Sequence, residues 1–275
     1  DIFASLMTFI GNKIASEPQD ESHNFIREDQ IKSEIKDIIE VAKYLYGVFG
    51  LEFKLTLSTR PEDYMGDLEL WNKAEDNLRE VLDEICGVNQ YTINEGDGAF
   101  YGPKIDIKMK DCLGREWQMG TVQVDFQLPL RFNLSYIDTD GEKKTPILIH
   151  RALFGSFERF IGILTEHYAG AFPLWLSPVQ VKVMPISDSQ LDYAKDVKEK
   201  LEAKGIRVEL DDRQEKIGYK IREAQLQKVP YMLILGDKEK ESGNVGVRSR
   251  KDGDIGQMKL SDFVEKIKKA EKDFE

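Results

Sequence analysis

His150, Arg151, Gly155, Ser156, Glu158 and Arg159 fall within ten residues of PILIHRALFGSFERFIGILTE, 146–166, a stretch that is otherwise mostly apolar. A helix built only for a core confines its polar residues to one outer face. Gly155 and Arg159 are four apart, so on a helix they share a face, with Ser156 on the same side. Glycine removes side-chain bulk and lets a flat partner reach the backbone. An arginine one turn away can stack on that partner or neutralise a phosphate. The same residues also describe a solvated stripe on an amphipathic helix, and the stretch alone leaves both readings open.

Other clusters could also do chemistry. The chain has three histidines, His23, His150 and His167. His23 lies in QDESHNF beside Gln19, Asp20 and Glu21, far along the chain from His150. Two histidines from distant segments, with a third ligand, could hold zinc and leave one position open for substrate; the bland alternative is a pair of structural histidines. Cys86 and Cys112 have no partner at metal-finger spacing. EGDGAFYGPK, 95–104, places three glycines, Tyr101 and Lys104 in ten residues. It matches neither a P-loop nor a dinucleotide fingerprint, and reads as a tight hairpin turn or a ligand-facing loop. In REWQMGTVQVDF, strict alternation puts Gln118, Gly120, Val122 and Val124 on one strand face. Trp117, Met119, Thr121, Gln123 and Asp125 then share the other, which suits a polar ligand floor or an exposed sheet face. DDRQEKIGYKIRE brings Arg213, Lys216, Lys220 and Arg222 to the start of a helix. An RNA phosphate or base edge could bind there, and a solvated charged face is the alternative.

The elements that must position these residues follow from periodicity. Residues 1–18 read as a short apolar helix or strand, then a loop. From Asp29 to Gly50, Ile31, Ile35, Ile38, Ile39, Ala42, Leu45 and Tyr46 recur at helical spacing. LEFKLTLST alternates as a strand, and DLELWNKAEDNLREVLDEI is a second amphipathic helix. IDIKMKD, REWQMGTVQVDFQL and RFNLSYID, joined by glycine-containing turns, predict an antiparallel sheet with the 146–166 helix across it. This part is α+β. AGAFPLWLSPVQ reads as a linker. Beyond it, strands VQVKVMPI, IRVELD, PYMLILGD and GNVGVRSR alternate with helices, which means βαβ units and a largely parallel sheet.

At 275 residues the chain can hold two domains with cores of their own. A net charge of −11 argues against indiscriminate nucleic-acid binding over the whole surface but leaves room for a local basic patch. Two unpaired cysteines fit a reducing compartment. No apolar run approaches the roughly 20 residues of a membrane span, so no membrane partner is expected. With Asp1 first and no basic-then-apolar leader, the chain is expected to be a piece of something longer.

LSTRPEDYMGDLELW, GDGAFYGPKIDI, GTVQVDFQLPLRF, IHRALFGSFERFIGILTEHYAG, PLWLSPVQV and EKIGYKIREAQLQKVPYMLILGDKE occur in this order between about Gln19 and the C-terminus. Together they resemble the threonyl-tRNA synthetase family, class II aminoacyl-tRNA synthetases. The resemblance implies an incomplete α+β, antiparallel-sheet catalytic domain over 1–172 and a linker at 173–178. An α/β anticodon-binding domain with a mostly parallel sheet follows over 179–275. It implies ATP-dependent activation of threonine to threonyl-adenylate and transfer to threonine-specific tRNA. By the same matching, Arg159 stacks on adenine, Gly155 makes room for it, and Gln118 and Thr121 contact the nucleotide, which arrives with Mg²⁺. Tyr101, Gln123, Gln19, Glu21 and Ser156 line the threonine site. His23 and His150 hold zinc, which in the family grips the amine and hydroxyl of threonine together. Gln214, Lys216, Glu239 and Arg248 meet the anticodon. Family members are homodimers; the oligomeric state of this chain stays open. The expected compartment is the cytoplasm, or the mitochondrial matrix in a eukaryote.

The chain also departs from the family pattern. The family's third zinc ligand is a cysteine upstream of the QDESH position, and no Cys precedes Cys86 here. The family's phosphate-clamping Arg should also lie before Gln19. Glu21 stands where the family has Asp, Met119 where it has Cys, and Gln214 where it has Asn. No editing domain is visible. A truncated or degenerate synthetase-like protein that binds tRNA without aminoacylating it is the alternative reading.

Overall fold

Most strands of the first sheet alternate in polarity, and their apolar phase packs into the core. The structure, a computed structural model, describes residues 19–88 and 90–274; the element expected within 1–18 lies outside them. The chain runs β1 (Ser22–Ile26), α1 (Ile31–Val48), β2 (Lys54–Ser58), α2 (Leu68–Cys86), β3 (Thr92–Asn94), β4 (Lys104–Lys110) and β5 (Glu116–Asp125). It continues through α3 (Gln127–Arg131), the short strands β6 (Tyr136–Ile137) and β7 (Lys143–Lys144), β8 (Ile147–Ala152) and α4 (Phe157–His167). The sheet order is β1-β8-β5-β4-β2-β3, antiparallel except for the β2–β3 pair. Leu55, Leu57, Ile105, Ile107, Val122, Val124 and Ile149 form its buried apolar rows. α1 buries Ile31, Ile35, Ile38, Ile39, Ala42 and Tyr46, packs on α2, and α2 lies on β2. Asp67 opens α2 by accepting from the backbone N–H groups of Glu69 and Leu70. The alternate positions, Lys104, Asp106, Thr121, Gln123 and His150, are therefore turned to the sheet's other face.

Three expectations change. Residues 146–166 are not one helix: Ile147–Ala152 is a strand held on both sides, by β1 and β5, and α4 starts only at Phe157. A short apolar run such as PILI has no period that separates a buried strand from a buried helix. RFNLSYID is not a strand of the main sheet. Asp125 accepts from the N–H groups of Gln127 and Leu128 and starts α3, and only Tyr136 and Ile137 pair, with Lys144 and Lys143. SHNFI, read only as a cluster of functional groups, is the edge strand β1.

The described chain divides into two compact units, the first ending at Glu166 and the second starting at His167. The second contains β9 (Val181–Pro185), α5 (Leu191–Glu202), β10 (Val208–Leu210), α6 (Ile217–Leu226) and β11 (Tyr231–Leu235). α7 (Asp237–Ser242), β12 (Asn244–Ser249), β13 (Gly253–Lys259) and α8 (Leu260–Lys272) follow. The order is β10-β9-β11-β12-β13; β9 is parallel to both neighbours and β12 antiparallel to both of its own, so the sheet is mixed where a mostly parallel one was expected: β12 and β13 form a hairpin with no helix between them. Val181, Val183, Val197, Leu201, Leu233 and Phe263 centre its core, and Leu174, from the expected linker, packs into it.

The turn from β4 to β5 is organised by Asp111, whose carboxylate accepts from Trp117 Nε1 (2.9 Å), Arg115 Nε (2.6 Å) and the N–H groups of Leu113 and Arg115. The Trp117 and Arg115 hydrogen bonds hold this carboxyl at about 2. A depressed carboxyl stabilises the fold above the ordinary aspartate range near 4, and the contribution is lost as pH falls from about 4 toward 2. We expect acid titration of Asp111→Asn, followed by tryptophan fluorescence, to show a flatter loss of stability across that window than the unsubstituted chain.

Candidate functional site

Strand register lines four functional side chains into one row. His23 on β1 lies opposite His150 on β8, His150 opposite Gln123 on β5, and Gln123 opposite Lys104 on β4. Lys104, Gln123 and His150 of this row form part of the floor of a cleft of about 600 Å³, and His23 adjoins it through His150. Gln19, Glu21, Tyr101, Gln118, Thr121, Gly155, Ser156 and Arg159 also line it. Every residue expected from the sequence to serve catalysis or threonine binding is therefore in one cavity.

At one end, the nearest ligand atoms of Glu21, His23 and His150 lie within 4.8 Å of one another. Glu21 Oε1 is 3.5 Å from His23 Nε2 and 3.9 Å from His150 Nδ1. Tetrahedral zinc with N and O donors near 2 Å needs ligand atoms roughly 3.4 Å apart, so this donor set fits a zinc-sized ion with a fourth position to spare. Glu21, expected at the amino acid, lines the cleft and also brings its carboxylate within reach of both histidines. Beside it, the Tyr101 hydroxyl donates to Gln123 Oε1 at 2.8 Å. Burial raises the Tyr101 phenol above its ordinary range, and the charges of Asp125 and Glu21 add to this. Asp125 is fully buried, 3.0 Å from His150 Nε2. Burial pushes its carboxyl up, but His150 and the N–H groups of Leu128 and Gln127 outweigh this and hold it low.

At the other end, Arg159 donates to the Gln118 carbonyl (3.0 Å), and its guanidinium lies 5.5 Å from the centre of the Trp117 ring. The flat partner that the sequence suggested for Arg159 is, in this structure, the chain's own tryptophan. Gly155 does not share a helical face with Arg159, because it precedes α4 with φ of 65°. A Cβ there would come 2.3 Å from the Met119 carbonyl oxygen, so only glycine fits. Gln118 and Thr121 were expected on opposite faces, yet they share one. The β4–β5 ladder passes from Ile107↔Gly120 to Lys108↔Gln118, leaving Met119 as an extra residue. This bulge rotates Gln118 onto the Thr121 side, and its amide donates to Thr121 Oγ1 at 2.9 Å. The EGDGAFYGPK stretch lines the cleft and is a tight crossing at once: a Cβ on Gly102 would come 1.6 Å from the Val124 carbonyl oxygen.

The sequence reading missed several residues here. Asp106, fully buried, gathers Lys104 Nζ (2.9 Å), Ser58 Oγ (2.8 Å), Gln118 Nε2 (2.8 Å) and Thr121 Oγ1 (3.2 Å). Its signal was a lone aspartate in an alternating strand. Asp20 accepts three consecutive N–H groups, of Leu153 (2.8 Å), Phe154 (3.0 Å) and Gly155 (3.0 Å). No local pattern announces a contact across more than 130 residues.

In the second unit, Gln214 and Lys216 line a cleft of about 400 Å³ at the carboxyl ends of β9 and β10, and Gln214 donates to Asp188 (3.2 Å). The cleft also holds buried Lys220, whose Nζ donates to the carbonyls of Pro185 (3.2 Å) and Asp211 (3.0 Å). Glu239 and Arg248 are elsewhere. Glu239 accepts from the Gly236 N–H (2.9 Å) and from Gln257, and half-buried Arg248 projects from β12 with its Nε unpartnered among the described residues. Of the four expected anticodon residues, Gln214 and Lys216 thus share a cleft that Glu239 and Arg248 do not line.

The family model of the tRNA synthetase class II core domain (G, H, P, S and T) matches residues 18–168, and that of the anticodon binding domain matches 180–270. The chain belongs to the class II aminoacyl-tRNA synthetase family. Within that family it is similar to threonine--tRNA ligases. It is 62% identical over 250 residues to that of Clostridium botulinum (strain Kyoto / Type A2) and 62% over 251 residues to that of Clostridioides difficile (strain 630). Each match covers 91% of this chain and 39% of the relative, so the chain spans about two fifths of the length of these relatives. A solved structure, the RNA binding domain of threonyl-tRNA synthetase from Cryptosporidium parvum Iowa II, superposes with a TM-score of 0.85 at 41% identity, over 92% of this chain and 63% of that one. No helix among the described residues is long and apolar enough to cross a membrane.

The Asp20 contacts yield a direct expectation. Asp20→Ala leaves three N–H groups without their acceptor. It should lower stability by at least about 1.5–3 kcal/mol, the worth of one hydrogen bond to a charged group. Denaturant unfolding reads the loss, and amide hydrogen exchange should quicken at 153–155.

Proposed function

We propose that this chain carries the adenylate-forming cleft and the tRNA-reading part of a threonine--tRNA ligase. One observation carries the reading: a single cleft is lined by Glu21 and His150 of a metal-capable cluster at one end and by Gly155, Arg159, Gln118 and Thr121 at the other. The amino acid and the nucleotide must meet end to end in such a reaction, and this cleft has a different chemistry for each. The family-model matches support assigning the class II core to residues up to 172, the join to 173–178 and the anticodon-binding part to 179–275.

In this reading, Gly155 admits the adenine ring to the backbone, Arg159 stacks on it, and Gln118 and Thr121 fix the nucleotide, bound with Mg²⁺. Tyr101, Gln123, Gln19 and Ser156 surround threonine. Glu21, His23 and His150 would hold a zinc ion, which when bound supplies one electrophilic anchor for both the amine and the hydroxyl of threonine. The threonine carboxylate attacks the ATP α-phosphate and pyrophosphate leaves. A hydroxyl of the terminal tRNA ribose then attacks the acyl carbon and AMP leaves. The chain's side chains contribute position and charge neutralisation rather than a covalent intermediate. Selectivity has a physical basis: valine is nearly isosteric with threonine, and a site built to bind a hydroxyl strands its own polar groups when the analogue lacks one. Gln214, Lys216, Glu239 and Arg248 read the anticodon, and the compartment is the cytoplasm.

Threonine-dependent ATP–pyrophosphate exchange on the purified chain, with zinc supplied, tests the first half. We expect exchange with threonine and a rate with valine lower by about 10⁴-fold or more. A folded chain that binds tRNA without exchange overturns the catalytic assignment and leaves the recognition role alone. Arg248→Ala should weaken threonine-specific tRNA by about 1–3 kcal/mol in a filter-binding titration at fixed salt; unchanged affinity removes Arg248 from the interface.

A further inference from the structure

His150 meets a carboxylate at each ring nitrogen, and the two carboxylates differ. Nδ1 lies 3.9 Å from Glu21 Oε1, on a side chain that is half exposed. Nε2 lies 3.0 Å from Asp125 Oδ2, on a side chain with no exposure at all. Asp125 is also fixed from its other oxygen: Oδ1 accepts the N–H groups of Gln127 (2.7 Å) and Leu128 (3.0 Å) at the start of α3. A carboxylate held this way has no freedom to swing away from the imidazole.

The chemistry of the contact sets the proton. An ionised carboxylate only accepts, so the nitrogen facing it must donate. A neutral imidazole has one N–H, and with that proton on Nε2 the Nδ1 lone pair is bare. It points toward Glu21 and is within the same cluster as His23. Two acceptors, Nδ1 and a carboxylate oxygen, face each other there, an arrangement that a cation between them stabilises. We propose that Asp125 is a positioning residue: by holding the Nε2–H of His150 it presents Nδ1 as a metal donor toward Glu21 and His23. The proposal rests on reading Glu21, His23 and His150 as a metal site.

Asp125→Asn separates this role from a merely structural one. The asparagine carbonyl can still accept from Gln127 and Leu128, so the start of α3 is kept. The amide that replaces Oδ2 donates, so His150 must accept at Nε2 and carry its proton on Nδ1. Two measurements on the full chain read this out at pH 8, where free imidazole is neutral. Long-range ¹H–¹⁵N spectra of the metal-free protein, with only three histidines to assign, should show the Nε2–H tautomer at His150 and its exchange for Nδ1–H in Asp125→Asn. Titration with Co²⁺ ions alone, followed by visible absorption, should show affinity falling 10- to 100-fold in the variant, the usual effect of losing such a partner, while its thermal unfolding stays cooperative. An Nδ1–H tautomer in the unsubstituted chain, or equal Co²⁺ affinity in the two proteins, overturns the proposal. An unsubstituted chain with the Nε2–H tautomer that takes up no Co²⁺ overturns the metal reading itself, and the spectra tell this failure from the other.

Discussion

Where β8 ends and α4 has not begun, the backbone at Leu153, Phe154 and Gly155 has left one ladder without entering the next. Backbone donors in such a place need a partner, and one carboxylate, Asp20, supplies all three. Tyr46 closes the other side by donating to the Leu153 carbonyl at 2.7 Å. The buried Tyr46 phenol is raised above its ordinary range by burial and by the charge of Asp20, which keeps it a donor. The loop thus sits between a carboxylate and a phenol from separate elements, packed by Phe154 against Phe160 and Tyr46. Asp20 has Gln19 and Glu21 on either side. The contact that fixes the Gly155 loop therefore also fixes the start of the strand that sets His23 opposite His150.

Because of that lock, the cleft behaves as one part. The imidazoles and carboxylates gather where β1 meets β8, and the guanidinium of Arg159 stands where β5 meets the start of α4. Between them lie Lys104 and Thr121, tied together through Asp106, and Gln123, which accepts from Tyr101, so that few of the polar groups on the floor are left to find partners of their own. A floor satisfied in advance needs little rearrangement when a charged ligand arrives, and preorganised dipoles and charges are worth most in such a setting. On the proposed function, the chain's net charge of −11 is compatible with this, because phosphate chemistry calls for a few placed cations rather than a basic surface.

Periodicity made α1, α2, β2, β4, β5 and most of the second unit legible, since each is long enough to repeat its apolar phase. β8 was not legible as a strand. Ile147, Leu148 and Ile149 are all buried between two neighbours, and a central strand leaves no polar alternation to read. The residues of the cleft could be named from motif order, but their arrangement could not. Alternation placed Gln118 and Thr121 apart because nothing in QMGT announces a bulge. Asp20, noted only as a neighbour of His23, and Asp106 were given no role because their roles exist only after segments far apart in the chain are brought together. Arg159 was seen as a cation for a flat partner, while Trp117, the ring beside it in the fold, lay hidden on another element.

The bulge at Met119 has a consequence for how this chain can vary. The extra residue pushes its carbonyl toward position 155, where it leaves no space for a side chain. The steric demand for glycine at 155 is therefore not a property of that loop by itself; it is imposed by a residue 36 positions earlier that the β4–β5 ladder does not pair. The two positions are epistatic. A chain whose β5 ran straight would be released from part of the demand at 155, whereas one that keeps the spare residue in β5 keeps the glycine with it.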